Sequence, residues 1–77
     1  MVASRHALSR IPGQYIVEAM DRLPPCGPAA KIRDLDIDVP FWGRFRVTFT
    51  PIRQAARGLP RRWIWVATSA ERLPDST

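Results

Sequence analysis

Apolar residues recur at helical spacing between residues 12 and 23: Tyr15, Ile16, Ala19, Met20 and Leu23 fall on one side, while Gln14, Glu18, Asp21 and Arg22 fall on the other. Pro12 suits the first turn, because the amide it lacks is one that no helix start satisfies internally. Pro24 and Pro25 end the pattern, since neither can donate to a continuing helix. The spacing predicts an amphipathic helix over 12–23 whose stripe lies on a sheet. The segment from Pro24 to Ala30 reads as a turn-rich connection.

From Lys31 to Val39 the period changes to two, with Leu35, Ile37 and Val39 pointing one way and Asp34, Asp36 and Asp38 the other. After Pro40, Phe41, Trp42 and Gly43 the alternation resumes, Phe45, Val47 and Phe49 opposing Arg44, Arg46, Thr48 and Thr50. A hairpin over 31–50 follows. Setting Val39 opposite Gly43 pairs Ile37 with Phe45, Leu35 with Val47, Asp38 with Arg44 and Asp36 with Arg46. Apolar and charged positions match in that one register. It is expected to hold Phe45, Val47 and Phe49 beneath the helix bearing Tyr15, Met20 and Leu23, because only then are both stripes buried together.

Thr50 has the chemistry of an N-cap, Pro51 of a first helical residue and Gly58 of a left-handed stop, so a short helical turn is expected over 50–58. A third strand is expected over 61–69, beside the second. Both of its faces are apolar, Trp63, Trp65 and Ala67 on one and Ile64, Val66 and Thr68 with Arg62 on the other. Thr68 and Glu71 stand at capping-box spacing, which predicts a further turn that Pro74 ends. The fold class is α+β: an N-terminal helix on a small three-stranded, mostly antiparallel sheet, with short helical turns after the second strand and near the C-terminus. Residues 1–77 form one domain, with flexible ends at 1–9 and 75–77.

Composition narrows the chemistry. At 77 residues only about 60% of the unfolded chain's surface can be buried, so stability is expected to be small. The lone Cys26 allows neither an internal disulfide nor a cysteine-based zinc site, which fits a cytoplasmic setting. No apolar run reaches the ~18 residues of a membrane span. His6 lies in the expected flexible tail, where nothing orients it against a nucleophile, and Glu18 with Asp21 are ordinary carboxylates of an exposed helix face. Asp34, Asp36 and Asp38 lack the glycine and distal glutamate of a calcium loop and have arginines opposite them. No catalytic residue, metal ligand or cofactor is assigned.

Charge changes the picture most. The net charge is +5, yet residues 40–70 contain six arginines, Arg44, Arg46, Arg53, Arg57, Arg61 and Arg62, with no acid. Trp42, Trp63 and Trp65 lie in the same stretch. Arginine's planar fork suits phosphates, carboxylates and aromatic faces. If Ile64 and Val66 join the core, Trp63 and Trp65 share an outer face with Arg44 and Arg46, a surface that can stack bases and hold phosphates. The alternative turns both tryptophans inward beneath the helix.

The order helix, strand, strand, strand with a closing helix resembles the double-stranded-RNA-binding domain in topology. The lysine-rich start of that family's last helix is missing, for Ser69 to Leu73 offers only Arg72, and no family is claimed. The expectation is a non-catalytic module whose arginine and tryptophan residues engage nucleic acid or a nucleoprotein complex. The alternative is a small inhibitor or adaptor of phage or mobile-element type, like an anti-CRISPR protein or an antitoxin, docking those residues on an acidic protein surface. A homodimer through the aromatic face competes with both.

Overall fold

The computed structural model describes residues 8–54, 58 and 62–74. Its elements are one α-helix, α1 (Gly13–Met20), and three strands, β1 (Arg33–Val39), β2 (Gly43–Gln54) and β3 (Arg62–Arg72). The strands form an antiparallel sheet in the order β1-β2-β3, with α1 against β1 on one face. This is a small α+β fold. The outermost residues expected to be flexible, 1–7 and 75–77, lie outside the described residues.

Regular helix is shorter than the apolar stripe. Pro12 precedes it at φ −56° and ψ 135° without a side-chain cap. Beyond Met20 the coil tightens: the amides of Asp21, Arg22 and Leu23 donate to the carbonyls three residues back at 3.2, 3.0 and 3.0 Å. Leu23 thereby stays on the stripe until Pro24 stops the chain. Before the helix, the Ile11 amide donates to the Leu8 carbonyl at 3.1 Å in a turn that buries Ile11.

The β1–β2 hairpin has the register that the alternation dictates. Val39 opposes Gly43, Ile37 opposes Phe45, Leu35 opposes Val47, and Asp36 and Asp38 oppose Arg46 and Arg44. At its tip the Trp42 amide donates to the Val39 carbonyl at 3.0 Å. Pro40 and Phe41 take the middle of this turn, Phe41 at φ 68° and the following Gly43 at φ 115°. Proline then a left-handed residue is the pattern of a type II turn, where glycine is the usual third residue.

Two expectations fail here. Pro51 to Gln54 do not begin a helix: they continue β2 and pair with Trp65 to Arg62. β1 ends at Arg33 opposite Phe49, so beyond that point β2 is locally an edge, where proline is tolerated. Residues 55–57 of the expected helix lie outside the described residues, and Gly58 is left-handed at φ 76°. The turn expected from Thr68 is also replaced by strand, because β3 continues to Arg72 opposite Phe45 and so completes the ladder on the free side of β2. Without a closing helix among the described residues, the likeness to the RNA-binding topology ends at the third strand.

A bulge settles the faces of β3. Ser69 opposes Thr48 while Ala67 opposes Phe49, which leaves Thr68 as the extra residue. Its hydroxyl lies 3.0 Å from that of Thr50 and donates to the Thr48 carbonyl at 3.3 Å. The bulge resets the alternation, so Trp63, Trp65 and Ala67 share the helix-side face with Ala70. Ile64 and Val66 stand on the outer face beside Ile52.

The core is Ile11 and Ala19 over Ile37, Val39, Phe45, Val47, Phe49 and Ala70, bordered by Tyr15, Met20, Leu23, Leu35 and Trp65. Phe49 and Val47 have no exposed surface. Truncating Phe49 to alanine removes the largest fully buried side chain, at a cost of about 3–5 kcal/mol. For a domain this small, whose total stability is expected at ~4–12 kcal/mol, urea unfolding of Phe49→Ala should show a midpoint lowered by about a quarter or more.

Candidate functional site

The arginines and tryptophans picked out from the sequence divide among four places. Arg44 and Arg46 stand on the outer face, where Nε of each donates to a carboxylate across the hairpin: Arg44 to Asp38 at 2.8 Å and Arg46 to Asp36 at 3.0 Å. The Thr48 hydroxyl donates to Asp34 at 2.7 Å, completing a ladder that leaves no aspartate of the triplet without a partner. No group of three metal-ligating side chains gathers among the described residues.

Both guanidinium groups are held above their ordinary pKa, first by the hydrogen bond to the aspartate and then by its charge. A base with a raised folded pKa contributes stability that is present below its unfolded value and lost only as pH rises through the folded one. That window lies in strongly alkaline solution. The cross-strand pairs therefore offer little free positive charge at neutral pH, and their arginines do not titrate near it.

Trp42 sits with Phe41 at the tip of the β1–β2 hairpin, both exposed. Arg62 is exposed on the outer face opposite Gln54, and Arg57 and Arg61 lie outside the described residues. Only Arg53, Trp63 and Trp65 come together. Arg53 opposes Trp63, and Pro51 opposes Trp65, on the helix-side face of the ribbon formed by the ends of β2 and β3. The tryptophans thus do not share a surface with Arg44 and Arg46, since the bulge and the continuing strand put them on the opposite side of the sheet.

Length explains why this end of the ribbon is open. Eight helical residues span roughly 12 Å and twelve strand residues roughly 40 Å, so α1 covers only part of β2. The proline-rich connection after the helix takes over. The Trp65 indole N–H donates to the Pro24 carbonyl at 2.8 Å, tying that connection to the sheet. Between them lies an open cleft of about 460 Å³, with Pro24, Pro28 and Ala30 on one side, Trp65 on the other, and Lys31 and Arg33 at the rim.

Lys31 and Arg33 were not among the residues singled out from the sequence. Arg33 has the parity of Leu35 and Ile37, so extending the strand alternation one step places it on the helix side, opposite Phe49. Lys31, Arg33 and Arg53 are exposed and have no carboxylate partner among the described residues. No acid occurs between residues 22 and 33 or between 39 and 70. The helix-side end of the ribbon is therefore basic and aromatic together, whereas the ladder on the other face is neutralised.

No family model, curated protein or solved structure matches this chain. No helix among the described residues is long and apolar enough to cross a membrane. Because the Arg44 and Arg46 guanidinium groups are held above an already strongly alkaline pKa, they stay charged and their contribution should be constant between about pH 6 and 9. Urea midpoints of the wild type and of Arg44→Ala with Arg46→Ala should differ by the same amount across that range.

Proposed function

We propose that this protein is a non-catalytic binding module that holds nucleic acid, free or within a nucleoprotein complex, on the helix-side face of its β2–β3 ribbon. The observation that carries the reading is the meeting of Trp63, Trp65, Arg53, Arg33 and Lys31 on one acid-free surface. Phosphate neutralisation by such cations supplies affinity without base readout, and indole faces add stacking that tolerates any base. Arg62 lies on the reverse of the same ribbon, within the range of an electrostatic field that extends about 10 Å at 0.1 M salt.

A salt titration tests it. Log affinity for DNA or RNA should fall linearly with log salt, and Arg33→Ala with Arg53→Ala should lower the slope by about 0.7–0.9 per arginine lost. Arg44→Ala with Arg46→Ala should change it less, because Asp38 and Asp36 already neutralise those side chains. Absence of binding even near ~50 mM salt would sink the proposal.

A second reading is favoured by a different observation. Phe41 is fully exposed and left-handed at φ 68°, and Trp42 beside it is half exposed. A non-glycine residue held there without burying its side chain is a strained position, and such positions cluster where a surface is used. Exposed aromatics of this kind anchor protein interfaces, which suits an inhibitor or adaptor. Retention of one stoichiometric protein partner after nuclease digestion, lost in Phe41→Gly with Trp42→Ala, is its expected signature.

A further inference from the structure

Resting on the nucleic-acid reading, we infer that the ribbon site takes an unpaired strand, with Trp63 as its stacking residue and Trp65 as the fixed wall of the cleft. The two indoles occupy alternate positions on one face of β3, roughly 6.8 Å apart along the strand. Bases in a duplex follow one another at ~3.4 Å per strand. A base lying on either ring, or between the two, has therefore lost a duplex neighbour, so the spacing is matched by a strand drawn out to about twice the duplex rise. Unpaired DNA or RNA reaches that extension without breaking base pairs.

The two tryptophans are not equivalent. Trp65 packs against the core and its N–H is already committed to the Pro24 carbonyl, which holds the ring in place and leaves it no donor with which to read a base. What it presents to the cleft is a ring surface bounded by proline and alanine. Trp63 lies one step further from the helix, half-buried, directly across from Arg53. Lys31 and Arg33 line the cleft with Trp65, and Arg53 stands directly across from Trp63, so each indole of the row has a cation on its β2 side. Charge complementarity favours a phosphate backbone there, and the lack of free donors on Trp65 favours stacking over sequence recognition.

Fluorescence anisotropy distinguishes the outcomes, using labelled ~12-nucleotide oligothymidine and oligouridine and a duplex of equal length near 50 mM salt. The single strands should bind at least tenfold more tightly than the duplex. Trp63→Ala, checked for folding by circular dichroism, should weaken single-strand binding roughly fivefold or more, while Trp63→Phe keeps most of it. Equal or tighter duplex binding, or a folded Trp63→Ala with wild-type affinity, overturns the inference and leaves the nucleic-acid reading standing. Binding of neither form overturns both. Should Trp63→Ala not fold, the ratio of single-strand to duplex affinity in the wild-type chain decides alone.

Discussion

The pairing of β1 with β2 is the constraint on which everything else depends. One register puts Ile37, Val39, Phe45 and Val47 under the helix and, at the same stroke, sets Asp36 and Asp38 against Arg46 and Arg44. A slip by one residue would expose the first set and bury the charged one, so the hairpin has no competing arrangement of similar energy. The tight turn at Pro40 to Gly43 locks the same register from the other end. Because β2 is the central strand, its faces then decide which side of β3 meets the core.

The hairpin was legible in the sequence for this reason: alternation and charge agreed at every position. β3 was legible only in part. Both of its faces are apolar, and period-two reasoning has no way to see Thr68 bulge out and shift Ala70 onto the core side. The local signals at Thr50–Pro51 and Thr68–Glu71 were sound as capping chemistry, but they lost to the ladder. An extended β2 flanked by β3 satisfies backbone groups over ten paired positions, more than one isolated helical turn can offer. Phe41 also lay beyond sequence reading, since a left-handed aromatic contradicts the preference that would have been used to assign it.

The site was legible in its ingredients and not in its assembly. The acid-free, arginine-rich half with its tryptophans is visible in the composition, yet which cations remain free depends on the hairpin. Arg44 and Arg46 are consumed by the aspartates that make the register unique. The charge that stabilises the hairpin and the charge available to a ligand are thus carried by different arginines, on opposite faces of one sheet. Arg33 and Lys31 take the vacant role because β1 starts with a basic residue on its helix side, Arg33, and Lys31 lies just before it along the cleft.

A two-stranded ribbon reaching past its covering helix is marginal in water by itself. Here the connection after α1 folds back over it, and the Trp65 bond to Pro24 is the point where the two meet. The prolines that end the helix also stiffen this cover, reducing the entropy lost when it is held against the sheet. Full coverage would have buried Trp63 and Trp65 alike and erased the cleft. Partial coverage instead fixes one indole and leaves its neighbour accessible beside Arg53, so the same shortage of helix that weakens the ribbon creates the surface on which a ligand can lie.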